Sequence, residues 1–269
     1  MPITSAKQRA LLAVLLLRAN WTVSFANLID EVWGERCPPS ARNLVHTYIW
    51  RLRSILGEHE SIEGASRIAF RVNGYCARVA EGELDAQIFE RLASDGLALM
   101  AEGGVAKASR LLRDALALWS GEPLSDLDVV GSAAAECARL SELRRQVLNA
   151  RIEADLILGQ YSKVAAELRK LVTENPLDEK LYINLMVALS HAGHRADALQ
   201  VYAEARRHLA RELGLEPCMR LRHLQTAILR GDASLHSLAS SAPLAGIYSA
   251  SRDIAERPSS LRHEFSDST

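Results

Sequence analysis

Cysteine is scarce in these 269 residues, and Cys37, Cys76, Cys137 and Cys218 lie too far apart to form any CxxC pair. Their scatter gives no support to a zinc site and reads as structural thiols in a reducing cytosol. Long apolar runs are also missing. The stretch LLAVLLL, Leu11 to Leu17, has seven residues, against the roughly 20 needed to span a bilayer as a helix. Arg18 and Trp21 follow it in place of a cleavage site, so it reads as a buried helix and not a signal peptide. Catalytic signatures are absent in turn: no GxSxG, no HExxH, no paired-carboxylate motif and no glycine-rich phosphate loop after a strand. His191 and His194 form HAGH with no third ligand nearby and read as surface histidines. The expectation is a protein without catalytic residues, cofactor, metal or membrane span.

Net charge of one sign is also lacking, since the chain carries −1 overall with 48% apolar and 24% charged residues, an ordinary globular composition. Splitting the chain is more informative. Residues 1 to 80 hold ten Lys/Arg against six acids, a net +4, which leaves −5 for the remainder. A length of 269 residues suits two domains. A basic head joined to an acidic remainder fits a nucleic-acid reader attached to a protein-interaction module.

Within the head, SARNLVHTYIWRLRSIL from Ser40 to Leu56 reads as an amphipathic helix. At 100° per residue Val45, Tyr48, Ile49, Leu52 and Leu56 make one apolar stripe, and Asn43, Thr47, Trp50 and Ser54 fall opposite. His46 and Arg53 border one side of that polar face and Arg51 the other. Asn, Thr, His and Arg can hydrogen-bond base edges and phosphates, which a Glu/Lys surface does less well. Next comes RIAFRVNGYCARV, Arg67 to Val79, whose Asn73-Gly74 pair suits a hairpin turn with positive φ. A helix followed by a basic hairpin is the layout of a winged helix. Two earlier helices are expected, one from a cap at Ser5 to Arg18 and one over Asn27 to Trp33, with Ser24 as a cap and Gly34 as the stop. Ser40 is the expected cap of the third. Trp33 and Tyr75 read as core residues beside turns.

From Leu84 to about Leu229 nearly every segment reads as helix, and part of it repeats. Gly159 and Gly193 stand 34 residues apart, Ala154 matches Ala188, Leu168 matches Tyr202 and Leu171 matches Ala205. That period, with small residues at the crossings, is the tetratricopeptide pattern, and a less regular earlier copy surrounds Gly104. A helical bundle without repeats is the competing reading. The stretch 231–269 is rich in Ser and Ala without a sustained period and is expected to be a disordered tail. The expected domains are therefore 1–80, 84–230 and that tail.

The RLR of Arg51 to Arg53 inside its helix, followed by the wing residues Arg71, Gly74 and Tyr75, resembles the OmpR-type winged helix. The order AKQRALLAVLLLRAN, LIDEVWGERCPPSARNLVHTYIWRLRSIL, then LWSGEPLSDL and ARELGLEP resembles the Streptomyces antibiotic regulatory protein (SARP) family over about residues 5 to 230. The resemblance implies a mostly α chain: a winged helix-turn-helix, then an all-α, tetratricopeptide-like bacterial transcriptional activation domain. It also implies an activator of a secondary-metabolite gene cluster that binds direct repeats of promoter DNA as a dimer. RNA polymerase, including its sigma and alpha subunits, would be its partner, and the cytoplasm, at the nucleoid, its location. Members usually open with N-terminal strands ahead of the first helix, and Met1 to Thr4 offer little room for them, so that sheet reads as truncated. Trp50 stands where a small or basic residue is usual. It would stack on a sugar or a thymine methyl, or pack on a neighbouring protein. Larger members carry an ATPase module, and this chain has no GxxxxGK followed by Ser or Thr.

The expected DNA contacts are Arg42, Asn43, His46, Thr47, Trp50, Arg51, Arg53 and Arg71. Asn43 and Thr47 lie on the N-terminal half of the helix, the part that reaches base edges in helix-turn-helix proteins. Arg51 and Arg53 would meet phosphate, Arg42 and His46 would either contact DNA or only face solvent, and the resemblance gives Arg71 the minor groove. The competing function is a tetratricopeptide-type scaffold with an impaired DNA-binding head.

Overall fold

A computed structural model describes residues 3–57, 66–127 and 130–231. The tail from Asp232 onward, including the expectation of disorder there, lies outside the described residues. Internal contacts divide the chain into two units, Met1–Ala93 with Asp114–Val147, and Ser94–Arg113 with the described residues from Leu148 onward.

The first unit begins with α1 (Ala6–Leu17), which buries Leu11, Val14 and Leu15, so the seven-residue apolar run is a helix of the core. Ser5 precedes it in extended conformation but makes no side-chain cap bond. A two-residue strand β1 (Val23–Ser24) leads into α2 (Phe25–Trp33). The Ser24 hydroxyl accepts from the Asn27 amide at 3.2 Å, a true N-cap that starts the helix two residues earlier than its apolar pattern indicates. After a 3₁₀ turn at Gly34–Arg36 comes α3 (Ala41–Ile55), entered through the Pro38 carbonyl without a bond from the Ser40 side chain. The expected stripe holds at Val45, Ile49 and Leu52, all buried, but Leu56 is 50% exposed because the helix has ended. Among the described residues no strand precedes α1.

The hairpin is β2 (Ile68–Arg71) and β3 (Gly74–Ala77), and β3 is the middle strand of a three-stranded antiparallel sheet ordered β1-β3-β2. Its turn differs from the expectation. Arg71 pairs with Gly74, so Val72 and Asn73 are the turn residues, and Gly74 does not adopt positive φ. Glycine is needed there for space: a Cβ on Gly74 would lie 1.9 Å from the Val23 carbonyl oxygen. The tight approach of β1 makes that demand, and β1 pairs Val23 with Tyr75 and Ser24 with Gly74. Ile68, Tyr75 and Ala77 join α1, α2 and α3 in one core. Residues 85–101 form α4, 105–117 form α5 and 131–157 form α6, and each runs across both units.

The second unit packs α7 (Tyr161–Glu174), α8 (Glu179–His191), α9 (Arg195–Leu213) and α10 (Met219–Arg230) around a core in which every residue of α8 from Leu181 to Leu189 is buried. Gly159 and Gly193 close the helices before them in the left-handed conformation, at φ 73° and 86°. In each turn the next amide bonds back to a carbonyl five residues earlier, Gln160 to Asp155 and His194 to Leu189. The turn after α4 is built alike, with the Gly104 amide on the Leu99 carbonyl. There Gly103, not Gly104, takes the left-handed position, at φ 81°. Three turns of one design support the repeat reading over an irregular bundle.

Candidate nucleic-acid interface

The side of α3 turned away from the core is open. Arg42, Asn43, His46, Thr47, Trp50 and Arg51 are exposed, while Arg53 is half-buried. Trp50 is 68% accessible, an unusual exposure for so large an apolar ring on a single helix face. The first-turn amides of α3 lack intrahelical acceptors, as at any helix start, which favours an anion there.

Several of these side chains are held in place. The Arg42 guanidinium lies 4.6 Å from the centre of the Phe25 ring. His46 packs 5.0 Å from the same ring, and its Nδ1 is 2.7 Å from the Tyr75 hydroxyl. A phenol can donate or accept, so this link survives either state of the imidazole. Burial pushes the Tyr75 phenol above its ordinary value, with the Arg53 charge opposing, so the hydroxyl keeps its proton at neutral pH. The Thr47 hydroxyl donates to the Asn43 carbonyl at 3.0 Å, which leaves its oxygen able to accept.

Arg53 behaves differently from the expectation of a phosphate contact. Its Nε and Nη2 both donate to the Ile68 carbonyl, at 2.9 and 2.5 Å, at the base of the wing. Ile68 is separated from it by 15 residues, so nothing in the helical periodicity shows this use. Arg53 thus ties the helix to the hairpin. Arg51 and Arg71 are exposed, and no ion pair involves either among the described residues.

Arg71 shares a sheet face with Ala69 and Cys76, because Arg71 pairs with Gly74 and Ala69 with Cys76. The other face carries Phe70 and Tyr75, whose rings meet at 5.5 Å. The structure therefore does not bring Arg71 onto the surface of α3; it places it at the wing's end on the opposite face. Around it an open depression is lined by Arg67, Arg78 and Asn20. Sequence reasoning missed two residues at the wing tip, Val72, fully accessible, and Phe70, 53% exposed. An alternating strand pattern flanking the turn was the available signal. It also missed Phe25, whose ring supports Arg42 and His46 from another helix.

No helix among the described residues is long and apolar enough to cross a membrane. Among the same residues no group of three His, Cys, Asp or Glu could hold a metal ion.

Comparison with known proteins agrees with this geometry. Residues 3–76 match the family described as "Transcriptional regulatory protein, C terminal", and residues 84–229 match "Bacterial transcriptional activator domain". The regulatory protein DnrI of Streptomyces peucetius is 37% identical over 85% of this chain and 86% of its own length. The regulatory protein AfsR of Streptomyces coelicolor is 41% identical over 87% of this chain, which spans only 23% of that longer protein. A solved structure of Mycobacterium tuberculosis EmbR, in complex with a low affinity phosphopeptide, superposes with a TM-score of 0.80 at 30% identity, covering 95% of this chain and 66% of that one. With an exposed polar helix, a buttressed wing and both regions matched in order, this chain belongs to the SARP family of transcriptional activators.

Proposed function

We propose that this activator binds direct repeats of promoter DNA through the exposed face of α3 and the wing, and recruits RNA polymerase through its helical region. The observation that carries the reading is the division of labour on α3. Val45, Ile49 and Leu52 are buried, while Asn43, Thr47, Trp50 and Arg51 stand exposed on the opposite side. A helix with such a face enters a major groove, where Asn43 and Thr47 would meet base edges and Arg51 the phosphates. Arg42 and His46, propped on Phe25 and Tyr75, would contact the backbone. Arg71 and the exposed Val72 would reach the neighbouring minor groove. Arg53 serves the same end indirectly, by fixing the wing.

One winged helix reads few base pairs, so two copies bound head to tail would supply specificity, with centres about 10–11 base pairs apart. The repeats of the second unit offer an extended surface for a protein partner, here the sigma and alpha subunits of the polymerase. In this reading the protein is not an enzyme, works in the cytoplasm at the nucleoid, and controls a secondary-metabolite gene cluster. Reader and recruiter correspond to residues 1–80 and 84–230.

Spacing tests it. Inserting about five base pairs between repeats puts the copies on opposite faces of the duplex. Activation in a purified transcription system should collapse, then partly recover with a full-turn insertion. Equal activity at all spacings would show independent monomers and overturn the direct-repeat reading.

A further inference from the structure

The motif LWSGEPLSDL, residues 118–127, lies outside α3 and the wing, and its residues Leu118 to Leu124 line a cavity of about 300 Å³ within the first unit. Opposite it stand Leu16 and Leu17 of α1 and Phe89 of α4. That volume is at the lower end of small-molecule sites, and the lining is mainly apolar.

The wall is fixed from several directions. Phe89 meets the Trp119 ring edge-on at 5.0 Å, and the Arg144 guanidinium lies 4.8 Å from the ring centre. Arg144 also pairs with Glu122 at 3.1 Å, and Ser141 donates to the same carboxylate at 2.9 Å. Farther along, Arg9 pairs with Asp126 at 3.1 Å. Leu124, on the cavity wall, has φ 54°, in the left-handed region that a leucine adopts at a cost. A bulky non-glycine residue held there is a feature that concentrates at ligand clamps.

Charge selects the occupant. Asp85 and Glu122 are the charged side chains of the lining, and no Lys or Arg contributes to it. Arg144 neutralises Glu122. Asp85 accepts one hydrogen bond, from the Ala86 amide at 2.8 Å, and has no ion pair among the described residues. We propose that this cavity binds a small cationic aromatic molecule, its ring against Trp119 and Phe89 and its ammonium group paired with Asp85. Because α1 of the DNA-binding region forms one wall, an occupant would touch the reader itself, which makes ligand control of DNA binding the consequence.

The test uses the full chain and three probes of one shape: 2-naphthylmethylammonium, 2-naphthylmethanol and 2-naphthoate. Calorimetry should give saturable binding of the cation with a Kd on the order of a millimolar, weaker binding of the alcohol and none of the carboxylate. Asp85→Asn, an exposed change on a helix start that asparagine also suits, should weaken the cation about three- to fivefold and leave the alcohol unchanged. Hydrogen-exchange protection by the cation should fall on residues 84–89 and 118–124. No saturable binding at millimolar cation, equal affinity for all three probes, indifference to Asp85→Asn, or protection elsewhere would each overturn the proposal. None of these readouts involves DNA, so they stand apart from the direct-repeat reading.

Discussion

Arg53 offers the sharpest separation between a structural and an electrostatic role on α3. Its Nε and Nη2 both donate to the Ile68 carbonyl, at 2.9 and 2.5 Å. Arg53→Ala removes both charge-assisted bonds. The carbonyl keeps one partner, the Ser66 hydroxyl at 3.0 Å, so it is not left bare. The loss is then that of the bonds without a full desolvation penalty, about 2 kcal/mol. For a chain of this size that corresponds to a fall in Tm of roughly 4–8 °C. Arg53→Lys keeps the charge but lacks the two-pronged donor, and should recover less than half of the loss. DNA affinity should also drop as the wing loosens. The slope of log Kd against log salt should stay near wild type, because no phosphate partner is lost. Thermal melts and salt titrations of both variants decide the matter. A variant with an unchanged Tm and a slope shallower by about one would refute the tether and make Arg53 a phosphate contact.

Other consequences follow from named contacts. Arg51→Ala, at an exposed position without an ion pair, should leave Tm unchanged and shallow the salt slope by about one in the same titrations. Gly74→Ala places a methyl group 1.9 Å from the Val23 carbonyl oxygen, so β1 must separate from β3, and denaturant melts should show a loss of at least about 2 kcal/mol. Glu31 is 7% exposed and accepts from the Ser132 and Ala133 amides, both at 3.0 Å, at the start of α6. Glu31→Ala should cost about 2 kcal/mol in the same melts, by stranding those two amides.

Local chemistry made much of this fold legible. The 3.6-residue period on α3 located Val45, Ile49 and Leu52 inside and Asn43, Thr47 and Trp50 outside. The 34-residue spacing of Gly159 and Gly193 located two helix turns, both left-handed. Contacts made across long separations were not legible. Asn73-Gly74 has the composition of a positive-φ turn, yet the pairing of Arg71 with Gly74 moves the turn back by one residue. The need for glycine comes from β1, a strand of two residues that is too short for any period to reveal. Arg53 looked like its neighbour Arg51 because charge and spacing say nothing of a carbonyl 15 residues away. Glu31 reads as a solvated acid on α2, whereas it is buried against the start of a helix about 100 residues later. The same limit hid the support that Phe25 and Tyr75 give to His46.

In the proposed function the exposed face of α3 reads base sequence. The direct measurement is the ratio of affinities for operator and random duplex at one salt concentration, for the wild type, Asn43→Ala and Thr47→Ala. Both side chains are exposed, so the variants should fold as the wild type does. Each lost base contact should lower that ratio by roughly 1–3 kcal/mol, about five- to 150-fold, while binding to random DNA stays nearly constant. A wild-type ratio in both variants would contradict the account and place sequence readout elsewhere on the protein.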